Sequence, residues 1–252
     1  MKKNLTILTG ASRGMGLAMA EQLLAPNARL LCISRQTNAA LQQQAACCGA
    51  ELLQWQADLS EPAAVGQRLR EWLGTHKSGE LASATLINNA GVISALTPLR
   101  DADASDLARA LRVGLEAPML LSAAFLASTH NWTKVPRKLL NISSGLGRRA
   151  MASSASYCAA KAGMDHFTRC LALEEALLPH GARVCSLAPG VIDTDMQVQL
   201  RSADVRQFPD QGGFAALKEK GQLTSPTDAA KRLLAFLNRS DFGAEPVADV
   251  RS

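Results

Sequence analysis

The chain has 252 residues, 47% of them hydrophobic, with a formal net charge of +5. That length and apolar content suffice to bury a full core; MKKNLTILTG reaches Gly10 before a secretory apolar segment develops, and no run reads as long enough to span a membrane, so a cytoplasmic location is expected. The charge admits nucleic acid as a partner, but aromatics make up only 4% and supply no stacking platform, so Lys134, Arg137, Lys138, Arg148 and Arg149 read as solvated edges.

In chain order, LTILT predicts a first strand, followed by a glycine turn and a helix beginning near Gly14. The turn TGASRGMG sets Gly10, Gly14 and Gly16 among Ala11, Ser12, Arg13 and Met15. Glycines permit tight turning and close backbone approach to a pyrophosphate, and a following helix offers unpaired N–H groups and the positive end of its dipole. ARLLCIS predicts the second strand, with a helix through LQQQAACC after it. That strand ends Cys32-Ile33-Ser34-Arg35-Gln36, without the carboxylate that would accept from an adenosine ribose and repel a 2′-phosphate. Arg35 and Arg13 can meet a phosphate from two sides, which favours NADPH over NADH; two exposed arginines that hold nothing are the alternative.

ELLQWQ predicts a third strand, followed by Ala57, Asp58 and Leu59 and then a helix through VGQRLREWL. ATLINNA and KLLNISS read as central strands, with a long helix over about 104–126 between them. Asn89, Ala90 and Gly91 end the fourth strand, beside a bound cofactor or in an ordinary asparagine-glycine turn. A helix from Tyr157 to about Leu178 and a sixth strand, ARVCSLA, follow; residues 191–211 are irregular. The alternation predicts one α/β domain over residues 1–252, a doubly wound parallel sheet with helices on both faces. Cys32, Cys47, Cys48, Cys158, Cys170 and Cys185 lack metal-type spacing, and His76, His130, His166 and His180 are scattered, so no metal site is expected.

Tyr157 is the only tyrosine, thirteen residues after Ser144 and four before Lys161. A tyrosine and a lysine at i and i+4 share a helix face, so the ammonium is expected to lower the phenol's pKa from its usual value near ~10. Such a phenol serves as a general acid or base. Ser144, rather than its neighbour Ser143, has the spacing to hydrogen-bond the same reacting oxygen, although either serine can instead satisfy local backbone groups.

Together, TGASRGMG, Asp58-Leu59, Asn88-Asn89-Ala90-Gly91, Ser144, Tyr157-x-x-x-Lys161 and Pro189-Gly190 resemble the ordered motifs of the short-chain dehydrogenase/reductase family. Within it, APGVIDTDMQ, LKEKGQL and FGAEPVADVRS are most similar to sepiapterin reductases and related benzil or diketone reductases. The resemblance implies a Rossmann-type, three-layer α/β/α fold and a homodimer or homotetramer. It implies that Tyr157 donates a proton to a small-molecule carbonyl, that Ser144 holds the same oxygen, and that Lys161 holds the nicotinamide ribose. Asp58 is implied as an adenine contact, with an N-cap as the local alternative.

By the same resemblance, Gly190 turns the backbone beside the nicotinamide. Ile192, Asp193, Thr194, Asp195, Met196 and Gln197 begin a segment, about 191–222, that covers cofactor and substrate, with Thr194 on the carboxamide. Asp249 matches the pterin-anchoring acid of sepiapterin reductases if it points into the pocket; pointing outward, it leaves a less selective diketone reductase. One departure stands out: Gly114 occupies a position where many relatives have asparagine. A glycine there can still present a backbone carbonyl and accommodate a helix kink. It also leaves room for a second class of function, an NADP(H) sensor with little turnover. The absence of a V-D-G-G ending disfavours a 3-oxoacyl-type ketoreductase.

Overall fold

The computed structural model describes residues 2–251. Its strands are β1 (Lys3–Thr9), β2 (Ala28–Ser34), β3 (Glu51–Gln56), β4 (Leu81–Asn88), β5 (Arg137–Ile142), β6 (Arg183–Ala188) and β7 (Val247–Asp249). All are parallel, in one sheet of order β3-β2-β1-β4-β5-β6-β7. The inner strands read as continuous apolar runs because both faces are covered. In β2, Leu31 and Ile33 face one helical layer while Leu30 and Cys32 face the other, as a two-residue side-chain period requires.

On the first face, Leu69 and Leu73 of α3 (Pro62–Gly74) and Leu121 and Phe125 of α5 (Ala117–Thr129) meet the sheet, with α6 (Ala155–Ala176) alongside. On the second, Met19 of α1 (Gly14–Leu23), Leu41 of α2 (Ala39–Cys48) and Leu233 and Leu237 of α9 (Pro226–Leu237) close the other layer. This is the three-layer Rossmann-type arrangement. Its strand order reverses between β1 and β4, which opens a crevice at the carboxyl ends of those strands.

The structure corrects three expectations. The helix expected over 104–126 is α4 (Ala104–Leu111), a π-helical turn Arg112–Glu116 and then α5. Pro118 lacks the N–H that an unbroken α-helix would aim at the Gly114 carbonyl, which favours the wider turn. The stretch Ala104–Thr129 is also long and apolar enough by composition to cross a membrane, contrary to the sequence reading; half of its most apolar 18 residues are buried, and packing against α3 and α6 accounts for its apolarity. Finally, β7 is a seventh strand the sequence did not reveal, and α7 (Asp195–Arg201) and α8 (Gln211–Glu219) organise the segment read as irregular.

Candidate active site

A cleft of about 720 Å³ lies over the carboxyl ends of the strands, within the usual range for a small-molecule site. The glycine turn forms one wall. Gly10 has φ +71°, and a Cβ there would lie 2.9 Å from the Ala90 Cα, so glycine is required on both counts. Asn89 fastens this turn to β4: its Nδ2 donates to the Thr9 carbonyl at 2.9 Å and to the Gly10 carbonyl at 3.3 Å. Thr9 Oγ1 in turn accepts from the backbone N–H groups of Asn89 and Ala90, both at 2.9 Å. The asparagine therefore shapes the floor under a dinucleotide.

Ser12, Arg13, Gly14, Met15, Gly16, Arg35, Ala57, Asp58 and Leu59 line the same end of the cleft. Two residues grouped with them in the sequence do not. Ala11 is buried, and its N–H donates to Ser34 Oγ at 2.8 Å, while Gln36 is exposed outside the lining. Arg13 is held by Asp195 at 2.5 Å, an exposed ion pair joining the glycine turn to α7. Asp58 accepts from the Ser60 N–H at 2.9 Å, which is the chief reason its carboxyl sits below the usual range; the Arg35 charge adds to that effect. Asp58 thus forms a local turn and faces the cleft; the N-cap of α3 is Glu61.

The opposite wall carries Ser144, Tyr157 and Lys161. Ser144 follows β5, while Tyr157 and Lys161 lie on α6, both nearly buried at 8% and 4% exposure. Lys161 Nζ donates to the Ile142 carbonyl at 2.7 Å and sits 5.8 Å from the centre of the Tyr157 ring. Burial pulls its ammonium down from 10.5 to about 8, opposed by the nearby Asp165 carboxylate. The expected depression of the Tyr157 phenol is not what the structure gives. Burial among Ile93, Leu96, Met151, Leu200 and Phe208 raises its pKa above 10, and a hydrogen bond with Ser144 only partly opposes that rise. A phenol in this setting stays protonated near neutrality, ready to donate.

Gly190, with φ +82°, and Ile192 to Gln197 close the cleft from above. Asp193 is pinned by Arg201 at 3.2 Å and Lys218 at 2.5 Å, which ties the cover to α7 and α8. Asp249 is not part of the lining. It grips Arg251, accepting from Nε and Nη2 at 2.8 Å each, and Arg251 lines the cleft beside Gly190. Sequence reasoning missed Arg251, Arg149 and the apolar wall of Ile93, Leu146, Leu200 and Phe214. The terminal ADVRS contained the only hint, an arginine two residues beyond a suspected anchor. Among the described residues no cluster capable of holding a metal is found.

A family model for short chain dehydrogenases matches residues 4–205. The chain belongs to that family. This short-chain dehydrogenase is 34% identical to a benzil reductase ((S)-benzoin forming) from Bacillus cereus, over 94% of each chain. It is 30% identical to sepiapterin reductase from Rattus norvegicus, over 94% of this chain and 92% of the other. Among solved structures, a putative NAD(P)-dependent gluconate 5-dehydrogenase from Beutenbergia cavernae with bound NADP superposes with a TM-score of 0.82 at 25% identity, covering 99% of this chain and 96% of that one. The resemblance drawn from the motifs is borne out at the level of family and nearest subgroup. Members of the family use NAD(P)H.

The residues present fit such a cofactor. Besides the glycine cradle, two residues of the lining, Ser143 and Gln197, carry buried side-chain oxygens, Oγ and Oε1, with no hydrogen-bond partner among the described residues. Buried polar atoms are ordinarily paired, so both are suited to meet polar groups of a bound molecule.

Proposed function

We propose that this short-chain dehydrogenase is an NADPH-dependent carbonyl reductase acting on apolar ketones and 1,2-diketones. The observation that carries this reading is the meeting of Ser144, Tyr157 and Lys161 across one cleft from a glycine turn, beside an apolar wall of Ile93, Leu146, Leu200 and Phe214. When bound, NADPH would supply a hydride to the substrate's carbonyl carbon. The preference for NADPH rests on Arg35 at the end of β2, where no carboxylate repels a 2′-phosphate, with Arg13 nearby.

The chain's own residues do the rest. Tyr157, protonated at neutral pH, donates its phenolic proton to the oxygen that gains negative charge. Ser144 hydrogen-bonds that oxygen and, through its bond to Tyr157, stabilises the phenolate left behind. Lys161 is still largely cationic at pH 7, and its charge favours the phenolate from within a low-dielectric wall. Ile93, Leu146, Leu200 and Phe214 exclude water and receive the substrate's apolar groups.

Asp249 argues against a pterin anchor, because its carboxylate is engaged by Arg251 and lies outside the lining. Exposed Leu173 on α6, Leu177 just past its end and Met119 on α5 support a homodimer or homotetramer. The deciding assay follows NADPH oxidation with benzil, a simple 1,2-diketone and sepiapterin in parallel. Tyr157-dependent turnover that favours benzil over sepiapterin is expected. NADPH binding without turnover of these three or of any further carbonyl compound offered would instead mark a sensor.

A further inference from the structure

The cleft combines two unlike surfaces. One is the apolar wall of Ile93, Leu146, Leu200 and Phe214. The other is cationic: Arg149, on the loop after β5, and Arg251, at the end of the chain, both line the cleft. The Arg251 side chain is 61% exposed and is oriented by a forked pair with Asp249. Asp249 Oδ1 accepts from its backbone N–H at 3.0 Å and from its Nε at 2.8 Å, and Oδ2 accepts from Nη2 at 2.8 Å. Its Cδ lies 3.8 Å from where a Gly190 Cβ would stand, so the side chain runs beside the residue that turns the backbone over the cleft.

The pairing uses Nε and one edge of the guanidinium. A guanidinium has five N–H donors, so Nη1 and the remaining Nη2 hydrogen stay available to a second acceptor. Arg149 has no ion-pair partner among the described residues. Arg148, next to it, is taken by Asp165 at 3.1 Å. Three arginines therefore stand against two carboxylates at this rim, and the excess is positive.

Resting on the carbonyl-reductase reading above, we infer that Arg251, fixed by Asp249 and assisted by Arg149, recognises a carboxylate on the substrate, making the preferred ketone an oxo acid with an apolar substituent. Charge-assisted, forked contacts suit a planar carboxylate better than a neutral carbonyl oxygen. Asp249 thereby contributes to recognition indirectly, by holding the residue that makes contact.

The test compares each acid with its own neutral ester: benzoylformate against methyl benzoylformate, and 3-benzoylpropionate against its methyl ester, with benzil as reference. Two chain lengths keep reach from deciding the result. For wild type, kcat/KM is expected to favour the better acid over its ester by about tenfold, mainly through KM. In Arg251→Gln that ratio should fall to near one, and in Arg251→Lys it should lie between, with NADPH binding used to verify folding. Equal use of acid and ester by wild type, or an acid preference that survives in Arg251→Gln, overturns the inference while benzil turnover leaves the reductase reading standing. Silence with benzil, esters and acids alike removes the reductase reading and this inference with it.

Discussion

Replacing Lys161 with methionine should stabilise the fold while abolishing the chemistry. Lys161 is 4% exposed, and burial takes its ammonium from 10.5 to about 8. At ~1.4 kcal/mol for each pH unit, that drop corresponds to roughly 3 kcal/mol against the charged form in the native state. The sign follows from counting protons. Between about 8 and 10.5 the unfolded chain retains a proton that the native chain has lost, so native stability rises with pH across that window. Below it both states are charged and the native state bears the whole penalty; above it both are neutral and the penalty vanishes. Methionine keeps the length without the charge, but it loses the 2.7 Å bond from the charged ammonium to the Ile142 carbonyl, worth about 2 kcal/mol. The net gain near pH 7 is therefore about 1 kcal/mol. Urea unfolding of both proteins, at matched protein concentration and across this pH range, measures it. The variant should unfold at higher urea near neutrality, and its advantage should shrink and reverse above pH 10.5. A variant no more stable than wild type at neutral pH, or an advantage that does not change with pH, refutes the reasoning.

Three further outcomes are expected. Tyr157→Phe should lower single-turnover reduction roughly a hundred- to ten-thousandfold while NADPH binding, followed by fluorescence, is retained. Gly114→Asn should reduce Tm and activity together, because even a Cβ at this position lies 3.0 Å from Ala160 Cβ, next to Lys161; overpacking of this kind costs about 1–3 kcal/mol, and the loss of activity should stay smaller than that of Tyr157→Phe. Asp195→Ala releases Arg13 from its exposed ion pair and should tighten NADPH binding by up to about fivefold, as the ~0.2–1 kcal/mol of such pairs allows; weaker binding by titration would show that Asp195 helps hold the cofactor.

The glycine turn, the two-faced sheet and the Tyr157/Lys161 pair were legible because each depends on local spacing. Glycines between a strand and a helix, continuous apolar runs and an i, i+4 pair encode their placement within a few residues of chain. What escaped depends on contacts between distant segments. The three residues of β7 have no period to display, and their strand character comes only from pairing with Ser186, Leu187 and Ala188. Asp249 could be assigned neither inward nor outward because the strand that carries it takes its place only by pairing with β6. The Tyr157 phenol was expected to fall because its sequence neighbour is a cation. It rises because residues as far away as Ile93 and Phe208 enclose it, and sequence spacing carries no measure of burial. The π-helical turn was foreshadowed by Gly114 as a kink, but Pro118 and the close approach of Ala160 explain its position.

These distant contacts also connect the recognition rim to the reacting groups. Arg148 donates from Nη2 to the Ala248 carbonyl of β7 at 2.8 Å and from Nε to Asp165 at 3.1 Å, while Asp165 accepts from Ser186 Oγ at 2.6 Å. Asp165 is one helical turn beyond Lys161 and is the carboxylate that opposes the loss of its charge. The strand carrying Asp249 is therefore joined through Arg148 to the helix carrying Tyr157 and Lys161. Further along the same face of α6, Asn141 Nδ2 donates to Thr168 Oγ1 at 2.9 Å and Asn141 Oδ1 accepts from Asn88 Nδ2 at 2.8 Å, tying the helix to the ends of β4 and β5. A buried polar network of this kind rigidifies what it connects, because each broken bond would strand a desolvated group. The reacting wall is thus held to the sheet along one face of α6, while the cover over residues 191–222 is braced internally by Asp193 with Arg201 and Lys218, joined to the glycine turn by Arg13, and packed onto Tyr157 through buried Leu200 and Phe208. The proton donor is therefore enclosed from two directions, by a polar network that fixes its helix to the sheet and by the apolar underside of the cover, which supplies the burial that keeps the phenol protonated.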